Sequence, residues 1–116
     1  MALQRTLGAI TGHTDHLVQV DKAGLREGDW ILVTTLNSTY SIRVLDDGYY
    51  HISGGWFDHQ GLSPLRTTIT GCTWGGSAIK VDIVAACGLH LEFGNRVVTS
   101  RIQHCSVFRF GEYAQN

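Results

Sequence analysis

Small polar residues occur in three tight groups along this chain, each beside a predicted strand end or corner. The groups are Asn37-Ser38-Thr39, Gly75-Gly76-Ser77 and Thr99-Ser100. Their side chains carry donors and acceptors on short stems, and strand ends can converge at the mouth of a barrel, where small ligands bind. We therefore predict a site for a sugar, a nucleotide or a small acid. Its candidate residues are Asn37, Ser38, Thr39, Tyr40, Arg43, Gly75, Gly76, Ser77, Lys80, Thr99 and Ser100.

The same groups also suit an ordinary structural role. Asn37 and Ser38 are typical of a turn in which a side chain bonds to nearby backbone. Thr99 and Ser100 can cap a hairpin in a similar way. For each group taken alone, the sequence favours this structural interpretation, and the ligand site requires that the groups meet in the fold.

Catalytic chemistry has weaker signals. The run Ser77-Ala78-Ile79-Lys80 matches the S-x-x-K of penicillin-binding acyl-transferases, where Ser and Lys share a helix face. Here the following residues alternate like a strand, which sends positions i and i+3 to opposite faces. The three cysteines, Cys72, Cys87 and Cys105, are widely spaced and are interpreted as free thiols. A Cys- or Ser-dependent hydrolase or transferase is the second alternative, and no catalytic residue is assigned.

Metal and phosphate sites are also not favoured. His13-x-x-His16 and the adjacent His104-Cys105 are the local ligand pairs, and zinc needs three or four converging ligands. The loop 71–77 lacks the Lys and the following helix of a Walker phosphate loop. A barrel corner explains its glycines better than an anion-binding nest does. We expect no metal and no cofactor.

Nucleic-acid binding deserves consideration in any small β protein, because such proteins use aromatic side chains over basic grooves. In this chain the Arg and Lys residues are spread along the sequence with acidic residues between them, and the net charge is −1. Bulk attraction to phosphates is therefore not indicated. Core packing is the preferred explanation for most aromatic residues, and nucleic acid is predicted to be an unlikely partner.

The elements that must position these groups are short strands. A first strand is predicted at 16–20, and Leu25-x-x-Gly28-Asp29 leads into another at 30–35. Trp30–Val33 is apolar on both faces, as expected of a central strand. Alternation over 39–44 and the turn signal Asp46-Asp47-Gly48 predict a hairpin at 39–53. Further strands are predicted at 65–70, 79–83, 89–93, 96–100 and 105–110, with Gly-rich loops at 54–61 and 71–77.

Strand signals that recur every eight to twelve residues predict an all-β fold. We expect a small barrel or a strongly bent two-sheet sandwich of about eight short strands. The best helix candidate, Val84-Ala85-Ala86, is too short and is ended by Gly88. A length of 116 residues suits one domain, 1–116, with the segments 1–15 and 111–116 less ordered.

The low share of charged residues bears on assembly. Charged residues make up 16% of the chain, against about 25% in ordinary globular proteins, which favours a surface partly covered by another subunit. We predict a homodimer or other homo-oligomer, with an unpaired edge strand as one possible contact. The sequence has neither a signal peptide nor an apolar run of membrane-spanning length, so a bacterial-type cytoplasmic location is expected.

The order of several motifs resembles a group of small uncharacterised bacterial β-rich proteins, over residues 25–100. The motifs are Leu25-x-x-Gly28-Asp29, Asn37-Ser38-Thr39-Tyr40, Ser53-Gly54-Gly55-x-Phe57, Gly75-Gly76-Ser77-x-x-Lys80, Leu91-Glu92-Phe93 and Val98-Thr99-Ser100. The resemblance implies a compact single domain and no particular activity. The sequence thus predicts a non-enzymatic binding or interaction module that self-associates, with the polar-ligand barrel as first alternative.

Overall fold

A computed structural model describes the backbone of residues 10–14, 17–75 and 78–110, and the side chains of 17–75 and 78–109. Within this part the chain forms eleven strands and one short helix. The strands are β1 (Ile10–Thr14), β2 (Gln19–Asp21), β3 (Trp30–Thr35), β4 (Thr39–Val44), β5 (Tyr50–Gly54), β6 (Leu65–Thr67), β7 (Ile69–Thr73), β8 (Ile79–Lys80), β9 (Ile83–Ala86), β10 (His90–Phe93) and β11 (Val98–Phe110). Helix α1 is Gly55–His59, and Lys22–Gly24 forms a 3₁₀ turn.

The strands make two antiparallel sheets. Nine of them form one sheet, in the order β6-β5-β4-β3-β11-β10-β7-β8, with β1 pairing to β11 off this path. The other two, β2 and β9, form a small second sheet. The all-β prediction is confirmed, and the sheets do not close into a barrel, so the bent-sandwich alternative is the one observed.

Several strand boundaries differ from those predicted. The hairpin at 39–53 forms as β4 and β5, with Tyr40 opposite Gly54. The predicted strand at 65–70 is two strands, and the predicted loop at 54–61 contains α1. The run 84–86, the best helix candidate, lies in β9, where all four residues are buried. Isolated apolar runs of this length do not distinguish a buried strand from a helix.

The two N-terminal predictions meet different outcomes. Strand β1 at Ile10–Thr14 occupies a segment predicted to be less ordered, and the strand predicted at 16–20 forms later, at Gln19–Asp21. The rest of the less-ordered prediction, for 1–9, 15 and 111–116, lies outside the described residues, as does residue 16 of the predicted strand.

Strand β11 is thirteen residues long and replaces two predicted strands. It pairs with β10 along its first part and with β3 from Ile102 to Phe108. Its register against β3 shifts between Ile102 and His104, where Gln103 is an extra residue. This β-bulge changes which residues face inward. As a result Ile102 and Cys105 are both buried, although simple alternation would place them on opposite faces.

An aromatic cluster joins two of the motifs in the core. The Tyr40 ring packs against Phe57 and Phe93, with centroid separations of 6.2 and 5.6 Å, and Phe57 packs edge-to-face on Phe93 at 4.9 Å. Gly55 has a φ of 45°, and a Cβ there would overlap the Tyr40 ring. The N-S-T-Y and G-G-x-F motifs therefore pack against each other. The absence of a side chain at Gly55 leaves the space that the Tyr40 ring occupies.

An ion pair between a buried carboxylate and a partly exposed guanidinium fixes the entry to β3. The Asp29 side chain is 1% exposed, and its Oδ2 lies 3.0 Å from Arg109 Nη1. The same oxygen accepts a hydrogen bond from the backbone N–H of Arg26 at 3.0 Å. The backbone carbonyl of Asp29 accepts a hydrogen bond from the Val44 N–H. The L-x-x-G-D motif thus ties the turn before β3 to β4 and to the end of β11.

Replacing Asp29 with Ala should destabilise the fold by about 2 kcal/mol, because the Arg26 N–H loses its acceptor and the partly exposed Arg109 guanidinium loses its partner. The free energy of unfolding is measured by urea denaturation. Asp46→Ala, at an exposed turn position, is the matched control and should stay within about 0.5 kcal/mol of the parent. A loss below about 1 kcal/mol for Asp29→Ala would show that the ion pair does not hold this junction.

No helix in the described part of the chain has the length and apolar character needed to cross a membrane.

Candidate functional site

Two of the three predicted polar groups meet in the structure. The turn between β3 and β4 lies against β11, where Ser100 Oγ donates a hydrogen bond to Thr35 Oγ1 at 2.8 Å. Ser100 Oγ also accepts from the backbone N–H of Asn37 at 3.1 Å. Thr35 Oγ1 closes the turn, since it donates to the Ser38 carbonyl and accepts from the Ser38 N–H, both at 3.1 Å.

The hydroxyl hydrogens of this network are all used within the protein. Thr99 Oγ1 donates to the Ser100 carbonyl at 2.7 Å and accepts from Leu91 N–H at 3.1 Å. A hydroxyl has one hydrogen to donate, so Thr35, Thr99 and Ser100 have no donor left for a ligand. The network holds the β3–β4 turn on β11 and β10, which is the structural interpretation of these residues.

The other predicted site residues are distributed over the fold. Tyr40 is in the core, Thr39 is exposed on β4, and Arg43 lies near the opposite end of that strand. Gly75 lies beside His90, whose Nδ1 is 2.9 Å from the Thr99 carbonyl. Lys80 Nζ lies 6.0 Å from the ring centroid of exposed Trp74. Gly76 and Ser77 lie outside the described residues.

The thiols and imidazoles do not assemble a metal site in the part that the structure describes, where no group of three or more His, Cys, Asp or Glu converges. The three cysteines are free. Burial raises the pKa of the Cys72 thiol to about 11 and, together with neighbouring Cys87, that of Cys105 to about 12. These two thiols are therefore protonated at neutral pH and are poor nucleophiles.

A different set of residues forms a continuous surface on the outer side of the large sheet. Trp30 on β3 is directly opposite Arg43 on β4, which is opposite His51 on β5. His51 in turn is opposite Arg66 on β6. Four neighbouring strands thus contribute one aromatic and three nitrogen-rich side chains to a single transverse row. Strands lie about 4.8 Å apart, so the backbone positions of Arg43 and Arg66 are separated by about 10 Å.

The next row on the same side is apolar and hydroxylic. Leu32 is opposite Ser41, and Ser41 is opposite Ser53. We call the combined surface the cationic face. It consists of Trp30, Leu32, Ser41, Arg43, His51, Ser53 and Arg66, with Tyr49 beneath Arg66. No carboxylate belongs to these outward positions of β3 to β6.

Aromatic rings support both guanidinium groups of the cationic face. Arg66 lies over the Tyr49 ring at 3.8 Å from its centroid, and Arg43 lies 6.0 Å from the Trp30 centroid. Such cation–π contacts leave the guanidinium hydrogens free. Within the described residues, neither Arg43 nor Arg66 forms an ion pair. Two guanidinium groups without ion-pair partners on one side of the sheet give this surface a local positive charge that suits an anion.

The sequence did not predict this surface, for two reasons. Trp30 and Leu32 belong to a run that is apolar on both faces, yet they are 36% and 39% exposed. That strand is central, as predicted, but only one of its faces is buried. Arg43 and Arg66 are scattered in sequence and become neighbours only through the β4–β5–β6 pairing. A partial signal existed in β4 and β5, where Arg43 and His51 occupy mirrored positions across the predicted hairpin.

In comparisons with known proteins, no protein-family model, no curated protein and no solved structure matches the chain.

Ser100→Ala should lower the free energy of unfolding by about 1–2 kcal/mol, since it removes the acceptor of Asn37 N–H and a partner of buried Thr35. Urea denaturation measures the change. Ser53→Ala is the matched control, because this half-buried hydroxyl on β5 has no hydrogen-bond partner among the described residues, and it should change stability by less than about 0.5 kcal/mol. Equal stabilities of the two variants would contradict a structural role for the network.

Proposed function

We propose that this protein is a non-enzymatic binding module whose cationic face binds single-stranded nucleic acid. The observation that carries the proposal is the transverse row of Trp30, Arg43, His51 and Arg66 on four paired strands. The row combines an exposed ring with fixed positive charge on a surface without carboxylates. The sequence analysis treated the basic residues as dispersed and predicted nucleic acid to be an unlikely partner, so this proposal departs from that prediction.

Stacking is the first chemical reason for this choice of ligand. The Trp30 side chain is 36% exposed on a rigid, paired strand, and every nucleobase has a π-face that stacks on such a ring. Guanidinium planes stack on bases as well. The guanidinium group of Arg66 is already positioned by its contact with the Tyr49 ring. A compact inorganic anion would use the charges but would gain nothing from the rings.

Charge and hydrogen bonding are the second reason. Arg43 and Arg66 can each bind a phosphate oxygen pair in the bidentate geometry that guanidinium favours. In the next row, on β4 and β5, Ser41 and Ser53 have hydroxyls with no hydrogen-bond partner among the described residues. Hydroxyls of this kind bond to phosphate and sugar oxygens. An acidic peptide would satisfy the charges, but its side chains would not match the exposed indole.

The dimensions of the face set the expected strength of binding. Four strands span about 15 Å, which accommodates two or three stacked bases, as on other sheet-based RNA-binding surfaces. Contacts with about two phosphates give a logarithmic salt slope of about −1.4 for a single strand. We therefore expect weak, salt-sensitive and largely sequence-independent binding.

Self-association, the sequence-based prediction, receives less support from the sheet edges. The terminal strands of the large sheet, β6 and β8, are three and two residues long, and they carry Arg66 and Lys80. Short edges with cationic side chains disfavour pairing with a second copy. An interface through Trp30 and Leu32 is the form of self-association that competes for the cationic face. The three free thiols suit a reducing, cytoplasmic location.

Fluorescence anisotropy with a labelled single-stranded RNA of about twelve nucleotides tests the proposal. Arg43→Ala and Arg66→Ala should each weaken binding and reduce the magnitude of the salt slope by about 0.7, the value for one phosphate contact. Trp30→Ala should weaken binding at least fivefold, equivalent to about 1 kcal/mol of lost stacking, while leaving the salt slope unchanged.

Lys80→Ala and Trp74→Ala are the matched controls, because they remove a cation and an exposed indole from the opposite end of the sheet. Both should bind RNA as the parent does. Sedimentation velocity measures the oligomeric state of the same proteins. If the parent protein does not bind RNA and is a dimer, and the Trp30→Ala variant is a monomer, the surface is a self-association interface and the proposal is wrong. RNA binding that the control variants weaken equally would also overturn it.

A further inference from the structure

Two of the three cysteines form a dithiol that is independent of the cationic face. Cys105 Sγ donates to the Leu17 carbonyl at 3.1 Å, and Cys87 Sγ donates to the same oxygen at 3.3 Å. Both sulfurs therefore lie within hydrogen-bond distance of one backbone oxygen. A single carbonyl oxygen therefore gathers two sulfurs that lie 18 positions apart in the sequence.

Backbone pairing holds both residues in this position. The Cys87 N–H donates to the Val18 carbonyl, and the Leu17 N–H donates to the Cys105 carbonyl. The neighbouring Gly88 N–H donates to the Ile102 carbonyl. The bulge at Gln103 turns Cys105 toward the core, and the Gln103 carbonyl itself lies 3.8 Å from Cys87 Sγ. Hydrogen-bonded backbone segments thus hold both sulfurs beside the Leu17 carbonyl.

Access to the pair is asymmetric. Cys87 is partly exposed, whereas Cys105 is fully buried. The third cysteine, Cys72, is also buried and donates to the Val84 carbonyl, so it has a separate partner. An external reagent therefore reaches Cys87 first, and Cys105 is the thiol beside it.

We propose that Cys87 and Cys105 are a redox modification site, which closes to a reversible disulfide on reaction with a small disulfide such as oxidised glutathione. The Cys87 thiolate attacks one sulfur of glutathione disulfide, whose S–S bond breaks and releases one glutathione thiolate. The Cys105 thiolate then attacks the Cys87 sulfur of the mixed disulfide and releases the second glutathione. Two protein thiols are oxidised, one glutathione disulfide is reduced to two thiols, and the two protons end on glutathione.

The second step should be the slow one. Burial and the neighbouring Cys87 raise the pKa of Cys105 to about 12, so its thiolate is a small fraction at neutral pH. Below this pKa the thiolate fraction rises about tenfold for each unit of pH. Closure of the mixed disulfide should therefore accelerate by about that factor per unit as the pH is raised from neutrality.

The experiment exposes Cys72→Ser protein to oxidised glutathione, quenches it with acid and an alkylating reagent, and maps the peptides by mass spectrometry. We expect a protein lighter by two hydrogens, with a peptide that joins Cys87 to Cys105, and full reversal by dithiothreitol. Cys105→Ser in the same background should stop at a glutathione adduct on Cys87. Cys87→Ser should not react at the pair. Mapping of the unsubstituted protein gives the same answer where the Cys72→Ser variant is poorly folded.

Three results would overturn the proposal. One is a stable glutathione adduct on Cys87 while Cys105 remains an alkylatable thiol. Another is a disulfide that joins two chains through Cys87. The last is a folded parent protein in which neither thiol reacts at any glutathione ratio, with near-ultraviolet circular dichroism confirming the native state. Each outcome is independent of whether the cationic face binds RNA.

Discussion

Strand β11 must pair with two parts of the sheet while keeping one apolar core, and the extra residue at Gln103 makes this possible. Before the bulge, Ile102 points inward; after it, Cys105 and Val107 do, and their partners Val33 and Ile31 on β3 are equally buried. Without the bulge, alternation would turn His104 inward. The burial of both Ile102 and Cys105, and with it the position of the thiol pair, follows from this bulge. A second register shift, against β10, lies between Val98 and Arg101, where Ser100 is located. A bulge also increases the local twist of the strand that contains it.

The parts of the fold that were predictable from sequence are those that local rules determine. Asp46-Asp47-Gly48 specifies a tight turn, and the alternation on either side sets the hairpin register. The L-x-x-G-D motif marks a strand entry, and its aspartate indeed bonds to the backbone of the preceding turn. The length of β11 was not predictable, because its two halves alternate out of phase and appear in sequence as two strands. Similarly, no local rule reveals that Arg66 will lie beside His51.

The motifs that dominate the sequence belong mainly to the architecture. Asn37-Ser38-Thr39 forms a turn anchored by Ser100, and Tyr40 packs over the backbone of Gly55. Conspicuous small polar residues thus supply the hydrogen bonds that strand ends need. The cationic face, whose guanidinium groups form no ion pair within the described residues, is made mainly of residues that no motif includes, such as Trp30 and Arg66. A net charge of −1 for the whole chain is compatible with a locally positive face, because binding depends on the charges that surround the ligand.

The contact between Tyr40 and Gly55 also constrains how this sequence can diverge. Any side chain at Gly55 would occupy the volume of the phenol ring, and the backbone there adopts a φ of 45° that suits glycine. A smaller residue at position 40 would free that volume but leave Phe57 and Phe93 without a packing partner. Neither position can therefore drift alone without loss of stability. Among descendants of a common ancestor, the glycine and the tyrosine should be inherited as a pair, while the exposed residues around them remain free to vary.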